Sequence, residues 1–98
     1  MYRLRLYVSG ASGPSHRAVA NLRELCSREL AGRSQVEVVD VIENPALADE
    51  DKILATPTLV RRLPLPVRKI IGDLSDRERV FQGLDLPVTS APARENEQ

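Results

Sequence analysis

Thiol and imidazole chemistry are the first to test, because these 98 residues offer one cysteine, Cys26, and one histidine, His16. A dithiol redox enzyme needs a Cys-x-x-Cys pair, one sulfur attacking and the other resolving the mixed disulfide. Cys26 has no second cysteine to work with, which excludes that chemistry and any internal disulfide. On an apolar stripe it reads as a small core residue. His16 has no Asp or Ser at catalytic spacing and reads as an exposed first-turn residue. One His and one Cys make no transition-metal site. Gly10 and Gly13 are not followed by the Gly-Lys-Ser/Thr of a phosphate loop. No carboxylate pair or triad emerges. The residues describe an adaptor rather than an enzyme, with no cofactor and no metal.

Several elements must carry these residues. Leu4, Leu6 and Val8 alternate with Arg3, Arg5 and Tyr7, which predicts a strand over 2–9. Ser9-Gly10-Ala11-Ser12-Gly13-Pro14 is turn chemistry, with Ser12 or Ser15 as cap and Pro14 in the first turn of a helix. Val19, Leu22, Cys26 and Leu30 recur at helical spacing over 15–31, and Gly32 supplies a stop. The β-branched run over 35–42 predicts a buried, central strand. Asn44-Pro45 starts a short helix over 45–54, Asn44 capping and Asp49, Glu50 and Asp51 exposed. Thr58-Leu59-Val60 and Val67-Arg68-Lys69-Ile70-Ile71 read as two strands joined at the Pro64-Leu65-Pro66 corner. Ser75-Asp76-Arg77-Glu78 spells a capping box before a last helix over 76–84.

The order is β-α-β-α-β-β-α: a right-handed parallel crossover followed by an antiparallel hairpin. That is a thioredoxin-like α/β topology. Where such a fold places its dithiol, this chain has Ala11-Ser12-Gly13-Pro14. Thr56-Pro57-Thr58 occupies the position where the fold often carries a cis proline, and Pro57, Pro64 and Pro66 are all candidates for it. One domain over 1–86 is expected, with a disordered tail over 87–98 that has few apolar residues and no periodicity.

Charge and composition exclude further classes. Fourteen Lys and Arg balance fourteen Asp and Glu, so the basic excess of a nucleic-acid binder is missing. Tyr2, Tyr7 and Phe81 are the only aromatics, too few for base stacking. Apolar runs are too short to cross a bilayer, and Met1 to Leu6 alternates instead of forming a signal segment, so a cytoplasmic chain is expected. The charge is unevenly spread. Asp40, Glu43, Asp49, Glu50 and Asp51 form an acidic stretch, while Arg61, Arg62, Arg68 and Lys69 form a basic one. Such runs are most often solvated faces, and an acidic helix beside a basic hairpin also suits charge-steered docking.

At this level of detail the chain resembles the KaiB family. The resemblance is carried by Leu6-Tyr7-Val8, by Val39-Asp40-Val41 with Asn44-Pro45, and by Asp51-Lys52-Ile53-Leu54-Ala55-Thr56-Pro57-Thr58-Leu59. It continues through Leu63-Pro64-Leu65-Pro66-Val67-Arg68-Lys69-Ile70-Ile71-Gly72-Asp73-Leu74-Ser75-Asp76-Arg77-Glu78 and Gly83-Leu84-Asp85-Leu86. The resemblance implies a protein that catalyses nothing and occupies two folds. In the thioredoxin-like one a monomer binds the KaiC ATPase ring, helps capture KaiA and displaces the kinase SasA, turning KaiC toward dephosphorylation. In the other, β-α-β-β-α-α-β, the C-terminal half is rearranged and the chain forms dimers or tetramers.

By analogy the resemblance also assigns residues. Tyr7, Gly83 and Asp85 match positions tied to the fold equilibrium. The stretch from Asn44 to Lys52, with Pro45, Leu47, Asp49 and Glu50, lies at or near the KaiC contact. The Ala11-Ser12-Gly13-Pro14 loop and Phe81-Gln82 depart from the family pattern. A polar Gln82 would disfavour whichever fold buries it, and the free chain is expected to favour the thioredoxin-like form. The departures also fit a second role, an accessory or stress-response protein binding a different ATPase or kinase.

Overall fold

Alternating side chains and the Pro64-Leu65-Pro66 corner set the sheet. A computed structural model describes residues 1–10 and 12–86, and the expected tail over 87–98 lies outside them. The elements are β1 (Tyr2–Val8), α1 (Gly13–Glu29), β2 (Ser34–Asp40), α2 (Pro45–Glu50), β3 (Thr58–Leu63), β4 (Arg68–Ile71) and α3 (Arg77–Leu84), the order read from the sequence. One four-stranded sheet has the order β2-β1-β3-β4. β2 runs parallel to β1, Leu6 opposite Val38. β3 is antiparallel to both β1 and β4, Leu59 facing Leu6 on one side and Ile70 on the other.

The pleat of β1 divides the interior. Leu4, Leu6 and Val8 face α1 and α3, where they pack with Ala18, Leu22, Leu25, Val80, Phe81 and Leu84. Tyr7 points the other way, into a smaller core with Val39, Val60 and Ala48 of α2. Helices therefore cover both faces of the sheet. Arg77 is paired with Glu29, and Arg17 with Asp73 at 3.0 Å, tying the α3 segment to α1.

Several expectations need correction. β2 is an edge strand and not a central one, and Val36 and Val38 are 42 % and 46 % exposed. A β-branched run reads the same at an edge as in the middle of a sheet. The capping box at Ser75 does not form: Asp76 caps α3, its carboxylate accepting from the Arg79 amide at 3.1 Å. Of the two candidate caps for α1, Ser12 is the one used, its hydroxyl accepting from the Ser15 amide. Helix α2 stops at Glu50, short of 54, because Lys52 takes a left-handed backbone at φ 55°. Strand β3 continues beyond Val60 to Leu63.

Candidate docking surface

Helix α2 is short because its start and stop are both written locally. Pro45 fits the first turn, and Asn44 holds the N-cap position without capping: its Nδ2 donates instead to the Asp40 carbonyl at 3.2 Å. Of the residues expected at the docking surface, Asn44, Pro45, Asp49, Glu50 and Lys52 are exposed. Leu47 is not on that outer surface. It is half-buried against the Tyr7, Val39 and Val60 core, as the helical period requires beside buried Ala48.

Asp51, expected to be exposed, lies beneath this surface with its side chain 20 % exposed. The buried Tyr7 hydroxyl donates to Asp51 Oδ2 at 2.5 Å and lies 3.1 Å from the Leu47 carbonyl oxygen. Arg5 Nη1 donates to the same carboxylate at 3.2 Å and to the Tyr7 oxygen at 3.1 Å, while its Nε holds Glu37 at 2.9 Å. Arg62 adds a bond to Oδ2 at 3.1 Å. Lys69 donates to the Asp51 backbone carbonyl. One residue thus joins β1, β3 and β4 to the end of α2. Burial alone would raise the Asp51 carboxyl, yet the Tyr7 hydrogen bond and the Arg62 and Arg5 guanidinium groups bring it below the ordinary carboxylate range. Burial, and then the bond to the Asp51 anion, push the Tyr7 phenol up.

The basic hairpin therefore differs from a uniform exposed patch. Arg62, Arg68 and Lys69 are exposed, and Arg62 and Lys69 reach across to Asp51. Arg61 is only 3 % exposed, with Nη2 donating to the Pro66 carbonyl at 2.8 Å and Nη1 to the Leu84 carbonyl at the end of α3. Its position was legible: Arg61 stands two residues after core-facing Leu59, on the same face of β3. The role of Asp51 was not, because its partners lie 11 to 46 residues away in sequence.

Tyr7 is not beside the other three positions assigned to the fold equilibrium. Gly83, Gln82 and Asp85 belong to α3 and its cap, across the sheet from Tyr7. A Cβ at Gly83 would come within 2.6 Å of Ile70 Cδ1, so any larger residue there would make the Ile70 side chain shift where α3 packs on β4. Asp85 is exposed and left-handed at φ 57°, and ends α3 by donating its amide to the Gln82 and Phe81 carbonyls. Gln82 is exposed, whereas Phe81 is buried with the Arg77 guanidinium 5.4 Å from its ring. The Thr56-Pro57, Leu63-Pro64 and Leu65-Pro66 bonds are all cis.

At the strand-to-helix junction Ser12 performs a capping role and no sulfur is present. Cys26 is half-buried on α1, and burial raises its thiol pKa, away from the reactive thiolate form. His16 is exposed. Among the described residues no group of His, Cys, Asp and Glu is placed to hold a metal ion.

Known proteins give this geometry its context. The KaiB domain model matches residues 5–86. The circadian clock oscillator protein KaiB of Microcystis aeruginosa is 54 % identical over 98 % of this chain and 92 % of its own length. That of Trichodesmium erythraeum is 59 % identical over 87 % of this chain and 82 % of its own. Among solved structures, mitochondrial thioredoxin 3 of Saccharomyces cerevisiae superposes with a TM-score of 0.70 at 22 % identity, covering 86 % of this chain and 76 % of its own. The N-terminal domain of Synechococcus elongatus SasA superposes at 0.69 with 24 % identity, covering 89 % and 86 %. Both likenesses are of fold: thioredoxin-like α/β.

Proposed function

The chain belongs to the KaiB family, and from that premise we propose that it is a circadian-clock adaptor without catalytic activity of its own, docking on the KaiC ATPase ring through the outer face of α2. In that role it helps sequester KaiA, displaces SasA and promotes KaiC dephosphorylation. The observation that carries the reading is identity of 54 % to a circadian clock oscillator protein across 98 % of the chain. The fold shared with the SasA N-terminal domain supports competition for a common surface. The absent dithiol and the raised Cys26 pKa argue against a thioredoxin-like redox role despite the shared fold.

On this reading the domain is 1–86, and the alternative β-α-β-β-α-α-β packing and its dimer or tetramer remain available to the chain. Gln82 is exposed in the thioredoxin-like form and costs nothing there. Incubation of the purified chain with a KaiC hexamer, followed by native mass spectrometry, tests the adaptor role. Stoichiometric complexes are expected. Absence of any complex in ADP-bound and phosphomimetic KaiC alike would favour the second reading, an accessory protein for another ATPase or kinase, which the Phe81-Gln82 departure motivates.

A further inference from the structure

Helix α2 poses a physical problem that its own sequence does not solve. Six residues make less than two helical turns, and isolated helices of that length are unstable in water. Asn44 gives it no side-chain cap and no acidic residue occupies its first turn. Its buried apolar contribution is small, Ala48 with half-buried Leu47. Yet this helix and the residues flanking it carry five exposed residues of the proposed docking face, three of them (Pro45, Asp49 and Glu50) in the helix itself, and a docking face that must first order itself loses affinity in proportion.

We propose that Asp51 is the positioning residue that holds α2 in its docking-competent place, through a polar clasp to Tyr7, Arg5 and Arg62. The inference rests on α2 being the docking face, and it adds the residue that preorganises it. The clasp is built from rigid parts. Tyr7 is fully buried in the central strand β1, and its hydroxyl reaches Asp51 Oδ2 at 2.5 Å. Arg5, two residues earlier on the same face, touches both at 3.1 and 3.2 Å and is itself fixed by Glu37 of β2. Arg62 closes the carboxylate from β3, and Lys69 holds the Asp51 carbonyl from β4. Hydrogen bonds involving an ionised partner are the stronger kind. Because every partner lies on the sheet and Asp51 immediately follows the helix, the clasp ties the C-terminal end of α2 to three strands.

Amide hydrogen exchange and KaiC binding, measured together, test this. The Ala48, Asp51 and Ile53 amides, which donate to Asn44, Leu47 and Ala48 carbonyls, report on α2. α1 amides serve as the internal control for global folding. In Asp51→Asn the α2 amides should exchange about tenfold faster or more while α1 is unchanged, the size set by loss of a charge-assisted bond. KaiC affinity should fall by a similar factor. Tyr7→Phe, the milder variant in case Asp51→Asn fails to fold, should move both readouts in the same direction. Unchanged α2 protection in both variants overturns the clasp. Glu50→Gln, on the outer face, separates the two readings. If it weakens KaiC binding at unchanged α2 protection while a loosened α2 in Asp51→Asn leaves binding intact, the positioning role falls and the docking face stands. If neither variant alters binding, α2 is not the docking face.

Discussion

A cation inside a small core must replace its lost hydration with protein oxygen, and Arg61 does so at both Nη atoms with the carbonyls of Pro66 and Leu84, while its buried Nε has no partner among the described residues. It links the hairpin corner to the end of α3, two segments 18 or more residues apart. Arg62, its neighbour, makes an ion pair with its own side chain 42 % exposed. Adjacent arginines of one basic run thus have different duties. Arg61→Ala leaves two carbonyls without their donor and opens a void, and should cost about 2–4 kcal/mol. Arg62→Ala should cost under about 1 kcal/mol, as exposed pairs do. Urea denaturation of both variants checks the contrast, and equal losses would show that Arg61 carries no special burden. Composition alone cannot separate the two, since both count equally as charge; strand alternation can.

Between residue and molecule, the elements were legible wherever their signals are local. Period-two alternation gave β1, helical spacing gave α1, and the Pro64 and Pro66 corner gave the hairpin. What depended on neighbours was not. β2 carries the composition of a buried strand, but its place at the edge is decided by which strand joins β1's other side, and β3 takes it. The start of α3 shows competition between two local signals. Ser75 and Glu78 spell a capping box, yet Asp76 has the extended backbone of an N-cap at φ −87° and ψ 97°, and its carboxylate takes the Arg79 amide. Asp76→Ala should therefore destabilise the fold by about 1 kcal/mol, and Ser75→Ala by a few tenths at most. Thermal unfolding of the two variants distinguishes them; the reverse order would return the cap to Ser75. The character of the proposed docking face was partly legible too. The acidic character of α2 is in the sequence, whereas the inward turn of Leu47 and the burial of Asp51 follow from tertiary packing.

At the scale of the whole molecule, the proposed adaptor role would depend on which packing the chain holds when free. Two packings of one sequence are both accessible only when they differ by a few kcal/mol. A docking-competent form populated at about 1 % would weaken apparent affinity about 100-fold. We propose that three features favour the thioredoxin-like arrangement here: Gln82 faces solvent, Gly83 leaves room for Ile70 of β4, and Arg61 links the hairpin corner to the end of α3. Backbone NMR of the free chain tests this most directly, through secondary chemical shifts and cross-strand contacts over Thr58–Ile71. The account predicts two strands paired as Thr58 with Ile71 and Val60 with Lys69. Helical shifts over residues 58–63 would contradict it.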